Sequence, residues 1–126
     1  LKLHADLRSS LNTVTAYGPG FIEINAQRHT RAVVCSPDQP IADFPVQRFD
    51  ELHAEHFTAL LAQRPEIVLL GTGEKQRFAH PRLTRALTDA RIGVESMTTQ
   101  AACRTYNILM TEGRRVVAVF LMETTS

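Results

Sequence analysis

The segment Glu66-Ile67-Val68-Leu69-Leu70, followed at once by Gly71-Thr72-Gly73, constrains this chain more than any other. A short apolar run without polar alternation is the pattern of a strand buried on both faces in a parallel sheet. The run Val116 to Met122 has the same character, and Arg115 to Leu121 is expected to form a central strand. Strands buried on two sides need helices on two sides, and the intervening sequence supplies them. Pro81 suits a first helical turn, with Leu83, Ala86, Leu87 and Ala90 on an apolar stripe opposite Arg82, Arg85 and Asp89. Gly93-Val94-Glu95-Ser96 reads as a further short strand. Thr98 or Thr99 then caps a helix reaching about Thr111, with Ala101, Ala102, Thr105, Ile108 and Leu109 on its apolar face.

Upstream, Tyr17 to Gly20 marks a turn, and Phe21-Ile22-Glu23-Ile24 alternates at the strand period, giving a first hairpin. Arg31 to Cys35 is β-branched and stops at Ser36-Pro37-Asp38, while Pro40 and Pro45 confine the stretch between them to a short or edge strand. Asp50 is placed to cap a helix running to about Gln63, closed by Arg64-Pro65. Strands alternating with helices from Asp50 onward predict βαβ units, and the N-terminal third adds antiparallel strands. With no linker, repeat or low-complexity run, residues 1–126 read as one α/β domain with a mixed sheet flanked by helices.

Composition narrows the function classes. Fourteen Lys and Arg against 13 Asp and Glu give a formal net charge of +1, too little to steer polyanions, and no nucleic-acid partner is expected. Arg114-Arg115, and Arg77 with Arg82 and Arg85, lack interleaved aromatics and read as solvated faces. No apolar run approaches the roughly 20 residues that span a bilayer. The first ten residues carry no basic segment followed by a long apolar one, so a cytoplasmic protein is expected. Cys35 and Cys103 are expected to be reduced thiols.

Ligands of open parallel sheets collect beyond the carboxyl ends of the strands. If the strands ending at Leu70 and Ser96 are parallel neighbours, Gly71, Thr72 and Gly73 face Glu95, Thr98 and Thr99 across one crevice, with Cys103 and Asn107 further along the following helix. GTGEKQ begins like a dinucleotide fingerprint, but Gln76 stands at the third glycine and the next helix starts only near Pro81. Lys75 belongs to no P-loop. Cys103 lies one turn into a helix that could lower its pKa, yet no pattern supplies a base, and a core thiol is the favoured reading. His53 and His56 share a helical face without a third ligand, so neither a metal nor a cofactor is expected.

The stretches PEIVLLGTG, HPRLTRAL, GVESMTTQAACRTYNIL and EGRRVVAVFL, in that order, resemble a family of uncharacterised bacterial and archaeal proteins that includes the mitochondrial respiratory complex I assembly factor 3. The resemblance implies a three-layer α/β fold with a central mixed sheet and a last strand antiparallel to the others. It carries over no catalytic residues, and it implies action by binding. The chain departs from the family's usual pattern in having no tryptophan near Phe44 and in placing Thr98 where an acidic residue is common. Two readings follow. One is a non-catalytic binding or assembly module linked to a respiratory complex, with open oligomeric state and a protein-partner surface that includes the loops Gly71 to Gly73 and Glu95 to Thr99. The other is a small-molecule-binding protein or enzyme using Thr72, Glu95, Thr99, Cys103 and Asn107.

Overall fold

The computed structural model describes residues 10–124; the N-terminal reading above and His4 fall outside them. Five strands form the main sheet: β4 (Val33–Cys35), β5 (Ala42–Asp43), β6 (Ile67–Thr72), β7 (Gly93–Met97) and β8 (Val116–Leu121), in the order β5-β4-β8-β6-β7. As the apolar runs imply, β6 and β8 are neighbours at the centre, and β6 and β7 are parallel, with Leu70 beside Ser96. Alternation then divides each run between two cores. Leu69, Val116, Ala118 and Phe120 face one side, whereas Val68, Leu70, Val117, Val119 and Leu121 face the other. The central strands are apolar from Ile67 to Leu70 and from Val116 to Leu121 because both of their faces are covered.

Three helices supply the cover: α1 (Ala54–Thr58, continued as a 3-10 turn over Ala59–Gln63), α2 (Pro81–Asp89) and α3 (Thr99–Thr111). From β6 the chain crosses through α2 outward to β7, then returns through α3 past β6 to β8. Crossovers of one hand in opposite directions put their helices on opposite faces. Leu87 of α2 accordingly joins Phe57, Leu60, Phe44 and Leu52 on one side, and Ala102, Cys103, Tyr106 and Met110 of α3 fill the other. The α/β mixed sheet between helical layers is as expected.

Its last strand corrects one expectation. β8 is parallel to β6 and antiparallel only to β4, because a helical crossover from β7 returns a strand in the same direction. The reversed strand is β4, which pairs antiparallel with β5 as well. The predicted helix from Asp50 is also interrupted. A 3-10 turn, Phe49–Glu51, precedes it, and Leu52 leaves helical geometry (φ −70°, ψ 134°) to bury its side chain. The helix proper starts after His53, whose N–H donates to His56 Nδ1 at 2.9 Å. Termination is as the sequence indicates, with Arg64 left-handed before Pro65.

A second, antiparallel sheet of β1 (Val14–Gly18), β2 (Phe21–Ile24) and β3 (Gln27–His29) packs Val14, Ile22 and Ile24 into the α3-side core. The β2–β3 turn sets positive φ at both Asn25 and Ala26, the backbone of a type I′ hairpin. Asn107 of α3 imitates a neighbouring strand toward β1. Its Oδ1 accepts from Val14 N–H at 3.0 Å and its Nδ2 donates to Val14 O at 2.8 Å. Tyr106 Oη donates to Asn12 O at 2.8 Å beside it. Replacing Asn107 with Ala leaves a part-buried donor and acceptor unmet, and urea denaturation is expected to show a loss of about 1–3 kcal/mol. Unchanged stability would mean that the small sheet does not depend on this bond pair.

Candidate functional site

The carboxyl ends of β6, β7 and β8 are joined through the first residue of α3. Thr99 Oγ1 donates to Leu121 O at 2.6 Å and accepts from Gly73 N–H at 2.8 Å, while Thr99 N–H donates to Gly73 O at 2.9 Å. One buried threonine therefore ties the ends of both central strands to a helix start. Gly71 is glycine for the same reason, since a Cβ there would lie 2.9 Å from Thr99 Oγ1 and 3.0 Å from its Cα. Gly73 turns with φ +89° directly against the backbone of Glu123, whose carbonyl accepts from Glu74 N–H at 2.9 Å. No larger residue fits either position without moving backbone.

Thr72 and Thr98 have their hydroxyls engaged too. Thr72 Oγ1 lies 2.7 Å from Lys75 O and accepts from Arg77 N–H, closing the loop on itself. Thr98 caps α3 by accepting from Ala101 N–H. The structure thus brings Gly71, Thr72, Gly73, Thr98 and Thr99 together and interlocks them. The space bounded by Gly73, Thr99 and Gln100 measures about 20 Å³, little more than one water occupies, while a groove of about 220 Å³ lies on the other side of the loop against Thr72, Lys75, Arg77 and Glu123.

The other three candidates lie apart. Asn107 holds β1, as described. Cys103 is fully buried in the α3-side core, and burial pushes its thiol up to about 12. Cys35, buried in the same core, is pushed up to about 11 by the same cause. Both the burial and the raised pKa favour the core-thiol reading of Cys103 over a helix-activated nucleophile. Glu95 is exposed on β7, the end strand of the sheet, and borders a groove of about 350 Å³ with Phe78, Ala79, Thr84, Val94 and Ser96.

Two contributors escaped the sequence reading. Phe78, 76% exposed, sits on the loop after the GTG turn, where a lone aromatic gives no periodic signal. Glu123 meets the loops through its backbone, and its carboxylate accepts from Phe49 N–H at 2.9 Å. No group of three metal-ligating side chains occurs among the described residues, and His53 and His56 serve the start of α1 instead.

Thr99→Val should cost about 1–3 kcal/mol in urea denaturation, since Gly73 N–H and Leu121 O each lose a buried partner, and Thr99→Ser should restore most of it. A valine variant as stable as the parent would remove the clamp from the account. Neither Cys35 nor Cys103 should react with iodoacetamide at neutral pH in the native state, and both should react in guanidinium. Thiols whose pKa is raised on folding stabilise fully below their ordinary value of 9.0, and that contribution is lost as pH rises through about 11 and 12. Thermal melts against pH should decline over that window, and Cys103→Ala should shallow the decline.

Comparison with known proteins places this architecture. A crystal structure of a Bordetella parapertussis protein superposes with a TM-score of 0.85 at 47% sequence identity, covering 90% of this chain and 98% of that one. The "13 kDa major membrane protein" of Francisella tularensis is 28% identical over 83% of this chain and 86% of its own. The mouse NADH dehydrogenase [ubiquinone] 1 alpha subcomplex assembly factor 3 is 36% identical over 60% of this chain, a match spanning 42% of the mouse protein. A family model described as "Protein of unknown function (DUF498/DUF598)" matches residues 14–121, almost the whole of the described fold, and the chain belongs to that family.

Proposed function

We propose that this domain is a non-catalytic binding module that acts in protein assembly, engaging its partner through the face formed by Phe78 and β7. The observation that carries the reading is Phe78, a large apolar side chain left 76% exposed beside a groove at the end of the sheet. Exposing an aromatic there is unfavourable in an isolated domain, and aromatic anchors dominate protein interfaces. β7 is hydrogen-bonded to β6 on one side and ends the sheet on the other, so its outer edge offers main-chain groups as well. Gln76 Nε2 already occupies Ser96 O at 3.2 Å.

The predicted crevice residues fit this role as a platform. Thr72, Gly73 and Thr99 hold the loop that presents Phe78, and Glu95 lies in the face itself. A stiff platform lowers the entropy cost of binding. The mouse relative's name suggests the class of partner, a subunit of an NADH dehydrogenase. Among its described residues the domain has no helix long and apolar enough to cross a membrane.

The test is affinity capture of the tagged full chain from its native host, with bound proteins identified by mass spectrometry. Subunits of NADH dehydrogenase should be enriched, and Phe78→Asp should reduce their recovery roughly tenfold or more while leaving the melting temperature unchanged. Equal recovery with Phe78→Asp would sink the proposed face. Absence of any such subunit would sink the proposed partner.

A further inference from the structure

The main sheet has two edges, and the chain treats them differently. β5 forms one edge with two residues, Ala42 and Asp43, lying between Pro40 and Pro45. A short edge strand bracketed by prolines gives another chain little to pair with. β7 forms the other edge with five residues, Gly93–Met97, and contains no proline, lysine or arginine. The groove of about 350 Å³ runs against three successive residues of this strand, Val94, Glu95 and Ser96, and Phe78, Ala79 and Thr84 complete its lining.

Which main-chain groups face outward follows from the ladder. Thr72 Oγ1 of β6 lies 3.2 Å from Met97 O, so Met97 turns its carbonyl toward β6. Successive residues of a strand turn their main-chain groups to opposite sides, so Glu95 also faces β6, while Val94 and Ser96 turn their N–H and C=O outward. Gln76 Nε2 donates to Ser96 O at 3.2 Å from that side, an exposed contact standing where a neighbouring strand would donate. Side chains alternate between the two faces of the sheet. Val94 packs against the α2-side core and Ser96 shares its side, whereas Glu95 lies beside Leu69 on the α3 side. Glu95 is exposed and forms no ion pair among the described residues.

These features decide what kind of partner fits. A helix bonds its own main chain and leaves the outward groups of Val94 and Ser96 to water, whereas an extended segment pairs with both. A second copy of β7 is a poor occupant. Antiparallel pairing that uses both residues sets Val94 against Ser96 of the second copy and brings the two Glu95 carboxylates to the closely spaced, non-hydrogen-bonded position between them. Like charges opposed there are destabilising, and a basic residue opposite Glu95 is favoured. The residues on either side of that basic residue point into the groove, beside Val94.

On the reading that the Phe78 face is the docking surface, we infer that the partner adds an extended segment to β7 as a sixth strand, antiparallel to it, with the pattern apolar-basic-apolar. The basic side chain lies over Glu95, and the two apolar ones enter the groove with Phe78. The segment's main chain takes the place of Gln76 at Ser96.

The probe is the capped peptide acetyl-Thr-Val-Arg-Val-Thr-amide, titrated into the isotopically labelled full chain by NMR. One companion carries glutamate in place of arginine. Another is N-methylated on both valines, which keeps the side chains and removes the two donors. The parent peptide should shift the amides of Val94 and Ser96 and give a cross-peak between the α-protons of its arginine and Glu95, the close pair of an antiparallel ladder. N-methylation should weaken binding roughly tenfold or more. Glu95→Lys should reverse the preference between the arginine and glutamate peptides, and Gln76→Ala should tighten the parent peptide roughly threefold by freeing Ser96 O. Equal binding of the methylated peptide, or shifts at Phe78 with none at Val94 and Ser96, would overturn strand addition and leave the Phe78 face standing for side-chain docking. No shift with any peptide would overturn it as well. So would self-association of the free chain through Val94 and Ser96, which would assign the edge to a second copy. Pairing with β7 that is undiminished in Phe78→Asp would keep strand addition and remove Phe78 from the docking surface.

Discussion

The hydrogen bonds of Thr99 bring three requirements of the fold into one place. The ends of β6 and β8 must stay aligned, α3 must start beneath them, and the chain must leave β6 without colliding with β8. A hydroxyl that donates to one strand and accepts from the turn after the other meets all three. Gly71 and Gly73 are consequences, since the close approach leaves no room for a side chain at either position. Remove the clamp and the carboxyl ends of the strands become what they are in many parallel sheets, a mouth with free backbone groups.

That comparison explains why the loops drew attention in the sequence and why they were hard to read there. Glycines and threonines at the ends of buried strands are what a ligand-binding crevice requires, and also what tight packing requires. The deciding partner, Leu121 O, is a backbone group far along the chain with no residue signature. The buried strands, α2, α3 with its Thr98 cap, and the pairing of β6 with β7 were legible, because apolar periodicity and turn residues encode them locally. The direction of β8 was not legible through resemblance, although the crossover through α3 determines it. The break at Leu52 and the docking of the small sheet by Asn107 both rest on tertiary contacts that override a local pattern.

A cavity of about 410 Å³ at the end of the sheet away from these loops illustrates the same limit. Ser36 reads as part of a turn and Gln63 as the end of a helix, and nothing in their spacing joins them. Only the folded chain brings them to one cavity. Here β4 runs antiparallel to β8, so its carboxyl end arrives where β8 begins. A mixed sheet thus has strand ends of both kinds at both of its ends.

The sealed state of Cys35 and Cys103 has a meaning beyond the core they fill. Oxidation needs a thiolate that an oxidant can reach, and disulfide exchange needs the same. Two neutral, inaccessible thiols provide neither, so the folded domain is indifferent to the redox poise of its surroundings. A reducing compartment is not required to preserve the folded thiols. The choice of compartment is left to whatever addresses the chain and to the partner it meets there.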